Sequence, residues 1–150
     1  MKILSTGNIC LIVVAVALVL VAKINVAQQS LPNPSLLFLG QEHVEVEGKK
    51  ITRYHFEILN KDKYPAELFV AAPELPPCGQ NAKSSRTWVD IYTQNGKRLY
   101  GFCAFTRPDD LSRIWFALDQ DEVPPSWIYV ELQDRKTNAK YKSNLAETTN

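Results

Sequence analysis

The chain has 150 residues, a mass of 17.0 kDa and a formal net charge of +1, with 45% apolar and 22% charged residues. That size accommodates one domain with one contiguous core, and the composition excludes a wholly disordered chain. The near-neutral charge removes the easy argument for nucleic-acid binding, which depends on a concentrated basic surface, and no nucleic-acid partner is expected.

In chain order, residues 1–27 come first, with no Asp or Glu and a 14-residue apolar run from Ile9 to Ala22. Spanning a bilayer takes roughly 20 residues, so the run matches the h-region of a signal peptide, with Lys2 in the positive n-region. Ala22 or Ala27 ends a small-residue cleavage site. Leu20 and Asn25, two residues earlier, suit such sites poorly, so an uncleaved N-terminal anchor is the alternative. Cys10 lies before the run and follows bulky Ile9, the wrong arrangement for lipid attachment. Either way the chain is expected to be exported, to the periplasm, the cell surface or the medium. It would meet the membrane only through this segment, and only if uncleaved.

Removing 1–27 takes away Lys2, Lys23 and Cys10 but no acid, which leaves a net charge of −1. Cys78 and Cys103 are then the remaining cysteines, and in an oxidising compartment such a pair reads as a structural disulfide. Closing that loop would stabilise the fold by about 3.5 kcal/mol in the chain-entropy model. The spacing does not match a redox-active Cys-x-x-Cys.

Residues 28–35 (QQSLPNPS) read as a linker, with Pro32 and Pro34 opposing regular structure. Short runs rich in Val, Ile, Phe, Tyr, Trp and Thr follow, and predict strands at 36–40, 43–47, 51–59, 66–71, 86–93, 98–106, 113–118, 127–133 and 139–145. Only Pro108–Arg113 suggests a turn of helix, with Asp109 or Asp110 near its start. Residues 146–150 are small or polar and read as a flexible tail. Many short strands define an all-β, antiparallel sandwich over 36–145, behind the hydrophobic leader.

Asn95-Gly96 is the strongest hairpin signal and predicts a type I′ turn. Pairing across it sets Val89 opposite Phe102 and Ile91 opposite Tyr100. On the other face Trp88 meets Cys103, Asp90 meets Gly101 and Tyr92 meets Leu99. With both faces apolar or aromatic, the pair is expected inside a sheet rather than at its rim. A Cys78–Cys103 bridge would draw Leu75-Pro76-Pro77 over Trp88 as a lid. The sharper expectation is a groove beside Gly101, floored by Asp90 and walled by Trp88 and Tyr92.

His43 and His55 fall in adjacent strands joined at Gly48-Lys49-Lys50, roughly opposite each other, so a surface zinc site is conceivable, though a solvated face is the expected reading. No metal site or cofactor is assigned. The sequence offers no nucleophile elbow, triad or phosphate-cradling glycine pattern, and Asp109, Asp110 and Asp119–Glu122 suit capping and solvation rather than catalysis. No catalytic residue is assigned, and the chain is not expected to be an enzyme. All three Trp, six Tyr and six Phe lie after residue 27. Alternation places Trp127 and Tyr129 opposite Ile128, Val130 and Leu132, which makes them the aromatics best placed for exposure. Candidate binding residues are therefore Trp88, Asp90, Tyr92, Trp127 and Tyr129.

The block LPPCGQN…SRTWVDIYTQNGKRLYGFCAF, residues 75–105, resembles one that recurs in small exported bacterial proteins of unassigned function, and implies no activity. The strand pattern, including YHFEILNKDKYPAELF at 54–69, is similar to fibronectin type III and immunoglobulin-like modules. That resemblance implies a fold alone. Cys78 and Cys103 depart from the immunoglobulin Cys…Trp…Cys spacing, so the likeness is to immunoglobulin-like sandwiches in the broad sense. The expected role is an exported interaction or cell-envelope module whose partner is an unidentified envelope or extracellular macromolecule. The alternative is a carbohydrate-binding module that uses exposed Trp and Tyr.

Overall fold

The computed structural model describes residues 31–77 and 84–149. The leader, both cleavage positions and Cys78 lie outside the described residues. Eight strands are present among the described residues: β1 (Leu36–Val46), β2 (Lys49–Ile58), β3 (Thr87–Thr93), β4 (Arg98–Phe102), β5 (Ile114–Asp119), β6 (Trp127–Asp134), β7 (Ala139–Lys142) and β8 (Ala146–Glu147). They form two antiparallel sheets, β1-β2-β5 and β4-β3-β6-β7, with β8 also paired to β6. The all-β, antiparallel expectation holds.

Period-two alternation builds the core. Tyr54, Phe56 and Ile58 of β2 and Ile114 and Phe116 of β5 point inward from the smaller sheet. Val89 and Ile91 of β3 and Ile128, Val130 and Leu132 of β6 meet them from the larger one. The Phe116 ring stacks on Tyr54 and Phe56 at centroid distances of 4.9 and 5.8 Å. Burying an aliphatic side chain of this kind contributes about 1.5–3 kcal/mol, so these ten residues dominate the fold.

Several expectations are corrected. Leu36–Val46 form one strand where two were expected at 36–40 and 43–47, because a bulge between Phe38 and Gly40 absorbs the irregularity, with Gly40 at φ +127°. The predicted strand 66–71 is a 3-10 turn over Ala66–Phe69, following Pro65. Leu68 and Phe69 are both buried there, which adjacent residues of a strand cannot achieve against one core. β4 stops at Phe102 because the next residues are held elsewhere: the Cys103 carbonyl accepts Ser85 N–H, and Thr106 N–H donates to Asp110. The expected helical turn at Pro108 is present as a 3-10 turn, Pro108–Ser112.

The expected tail is also ordered: Ala146 and Glu147 pair with Ile128 and Trp127, and Thr148 is buried. Between β7 and β8, Ser143 N–H donates to the Val130 carbonyl while its Oγ accepts Val130 N–H. Asn144 next to it uses its side-chain amide as a strand residue would, accepting Leu36 N–H at 2.8 Å and donating to the Leu36 carbonyl at 3.0 Å. That amide joins the larger sheet to the start of β1. Part of the expected linker is tied down as well, since Pro32 accepts the Tyr64 hydroxyl and Asn33 accepts the Asn60 amide through their carbonyls.

Candidate functional site

The two hairpin turns exchange the roles their sequences suggest. Glu47 and Gly48, at φ +50° and +78°, make the two-residue turn with both central residues left-handed that Asn95-Gly96 was expected to make. At the other hairpin only Gly96 has positive φ, and the loop has three residues: Gly96 N–H bonds the Thr93 carbonyl, and Thr93 N–H bonds that of Lys97. Val89–Phe102, Asp90–Gly101 and Ile91–Tyr100 pair as expected. Tyr92 pairs with Arg98 instead of Leu99, because the longer loop shifts the register by one. Trp88 lies beyond the end of this ladder and has no partner in β4. β3 is internal, but β4 is the rim strand, contrary to expectation.

Because Val89, Ile91, Ile128, Val130 and Leu132 point inward, Trp88, Asp90, Tyr92, Trp127 and Tyr129 share the outer face of the larger sheet. The register sets Tyr92 beside Tyr129, Asp90 beside Glu131 and Trp88 beside Gln133. All five candidate binding residues are thus on one surface.

Their surroundings differ from the expected groove. A Cβ added at Gly101 would lie 2.1 Å from the Arg98 guanidinium and 2.3 Å from the Asp90 carboxylate. Arg98, paired to Asp90 at 2.7 Å, fills the space beside Gly101. The missing Cβ is what lets the guanidinium lie flat there. Trp88 donates its indole N–H to Ser84 Oγ and is covered by the Arg135 guanidinium, 3.6 Å from the ring centroid. Tyr129 stacks on Tyr92 at 5.2 Å and lies under Lys142 Nζ at 3.8 Å. Such cation–ring contacts are worth about 0.5–2 kcal/mol and here cover two of the expected platforms. Burial, ahead of the neighbouring Asp90 and Glu131 charges, pushes the Tyr92 phenol up.

Trp127 is different. Its side chain is 39% exposed, and among the described residues no ring or cation covers it. It borders a cleft of about 390 Å³ between the β3–β4 loop and the Pro125-Ser126 approach to β6. Both rims are braced. Gln94 N–H bonds the Trp127 carbonyl, and Thr148 bonds the Ser126 carbonyl through its N–H and the Pro125 carbonyl through its hydroxyl.

At the opposite end of the larger sheet, on the inward side of β6, Arg86 grips the buried Asp134 carboxylate with two bonds of 2.8 and 2.6 Å. Lys136 N–H and the Thr137 hydroxyl bind the same carboxylate. The Arg86 guanidinium leads in holding the Asp134 carboxyl down at about 2. Asp110 is similarly occupied: burial opposes its charge, but bonds from Thr106, Arg113 and Arg107 prevail and hold it below the usual range. It caps the 3-10 turn, as the sequence suggested.

The histidines do not meet. His43 pairs with Thr52 and His55 with Gly40, because the two-residue turn sets the register three residues away from the one that would oppose them. His43 Nδ1 contacts Thr52 Oγ1, and His55 Nε2 contacts Glu42, which also holds Arg53. The bond to His55 leads in lowering the Glu42 carboxyl. Among the described residues no group of three His, Cys, Asp or Glu is placed to hold a metal ion.

One cluster escaped the sequence. Tyr100 and Phe102 of β4 reach Trp115 of β5 at 5.1 and 6.0 Å, and Phe105 stacks on Phe102 at 5.0 Å. Phe102, Phe105 and Trp115, with Asp110 and Arg113, line a cleft of about 440 Å³ where the two sheet edges run side by side. No local pattern announces the adjacency of strands from different sheets. Comparison with protein-family models, curated proteins and solved structures finds no match to this chain.

Proposed function

We propose that the chain is an exported, non-enzymatic module of the immunoglobulin-like type that docks an envelope or extracellular macromolecule. The docking surface is the outer face of its larger sheet. The observation that carries the reading is the gathering of Trp88, Asp90, Tyr92, Trp127 and Tyr129 on that face. Aromatic side chains and Arg, with a polar rim, are the usual composition of a binding surface. The strand orders β1-β2-β5 and β4-β3-β6-β7 support the immunoglobulin-like assignment. Membership of the exported bacterial family that the 75–105 block resembles belongs to the same proposal. Affinity capture from envelope extract tests the face. Capture is expected to fail with Lys142→Glu and Tyr129→Ala and to persist with Glu45→Lys on the other sheet; capture indifferent to all three overturns the reading.

Export rests on residues 1–27, and N-terminal sequencing of fractionated cells tests it. A start after Ala22 or Ala27 identifies a signal peptide, and an intact Met1 at the membrane identifies an anchor. An intact Met1 in the cytosol overturns export. A Cys78–Cys103 disulfide is part of the proposal, supported by the Ser85–Cys103 hydrogen bond of 2.8 Å, which brings the chain seven residues beyond Cys78 against Cys103. Mass mapping without reductant is expected to recover the linked peptides; labelling of either cysteine as a free thiol overturns it.

A further inference from the structure

We propose that the Trp127 cleft binds a neutral pyranose ring, so that the partner of the outer face is a glycan or carries one. This inference rests on the docking reading above and adds the chemistry of the ligand.

The cleft is bordered by Trp127, Pro125 and Ser126 on one side and by Thr93, Gln94, Asn95 and Lys97 of the β3–β4 hairpin on the other. Its volume lies within the about 300–1,000 Å³ of small-ligand sites. Two walls are apolar, and the rest present amides, hydroxyls and one ammonium. A pyranose has matching duality, with a flat patch of C–H groups that stacks on an aromatic ring and a girdle of hydroxyls that needs donors and acceptors. Phosphate or nucleotide ligands would require more cationic charge than Lys97 provides. An apolar peptide anchor would leave the amides and hydroxyls desolvated and unpaired.

Two further observations single out this end of the face. Tyr129 and Trp88 have their rings covered by Lys142 and Arg135, whereas the Trp127 ring is open. The side chains of Gln94, Asn95 and Ser126 make no hydrogen bond within the described residues, so their bonding capacity is available to a ligand. The backbone bonds from Gln94 to Trp127 and from Thr148 to Ser126 hold the two rims at fixed separation. A braced cleft loses little freedom on binding.

The test is titration of the purified exported protein with cello-, malto- and chito-oligosaccharides, followed by amide NMR shifts. Saturable shifts are expected at Thr93–Lys97 and Ser126–Trp127 for at least one series. Trp127→Ala should weaken binding at least tenfold and Trp127→Tyr less, while Glu45→Ala on the smaller sheet should leave it unchanged. Gln94→Ala and Ser126→Ala, which remove no packed atoms, should each weaken it several-fold and serve where Trp127→Ala does not fold. No saturable shift with any series, or binding indifferent to Trp127, Gln94 and Ser126, overturns the sugar site. If capture of an envelope partner still depends on Lys142 and Tyr129 in that case, the docking face stands without the sugar. If that capture fails as well, the docking reading falls too.

Discussion

The two ends of the larger sheet spend their polar groups in opposite ways. At the Asp134 end a carboxylate, a guanidinium, a backbone N–H and a hydroxyl are mutually satisfied, and the neighbouring Trp88 is covered by Arg135. At the Trp127 end the backbone is braced, but the side chains of Gln94, Asn95 and Ser126 make no hydrogen bond within the described residues. Charge density alone would have pointed to the first end as the site. Satisfied polar groups build a fold, and unsatisfied ones beside an open ring are available to a ligand.

That contrast can be tested by the size of the response at each end. The largest expected effect is Asp134→Ala, which leaves Arg86 largely buried without its carboxylate and should destabilise by about 3 kcal/mol in chemical denaturation. Acid should act next. The Asp134 carboxyl titrates at about 2 in the folded protein against an ordinary 3.8, so its contribution is fully present above pH 4–5 and lost as pH falls through about 2. The loss amounts to about 2 kcal/mol and should be absent in Asp134→Asn when stability is followed against pH. Asn144→Ala removes the side chain that satisfies both Leu36 groups and should cost about 1–2 kcal/mol. The smallest response belongs to the open end, where Gln94→Ala and Ser126→Ala should change the unfolding free energy by no more than about 0.5 kcal/mol. A large loss there would mean that the cleft is structural.

Alternation made the outer face legible: Ile128, Val130 and Leu132 must share one side, so Trp127 and Tyr129 occupy the other. The strands themselves were readable because β-branched and aromatic residues cluster between Gly, Pro, Asn and Asp. Turn geometry was less so, since Asn95-Gly96 carries the two-residue signature while the chain spends a third residue there and moves Leu99 out of register. The neighbouring strand determines which loop length closes without strain, and that information is nonlocal. Covering cations were invisible for the same reason. Lys142 reaches Tyr129 because β7 pairs beside β6, and Arg135 reaches Trp88 because the start of the β6–β7 loop is bonded to Arg86 ahead of β3. The ordered end of the chain was hidden too, because Ala146 and Thr148 gain burial only from a strand far earlier in sequence.

Asn144 carries a consequence for the order of assembly. It closes the gap between the sheets across 108 residues of chain, so that closure has no local substitute. A polypeptide synthesised from its N-terminus delivers Leu36 long before its latch. During that interval the edge of β1 lacks its last hydrogen-bonding partner, and other unpaired strands can compete for it. The final seven residues therefore set when the module becomes resistant to mispairing, and a truncation before Asn144 should reveal itself first as aggregation.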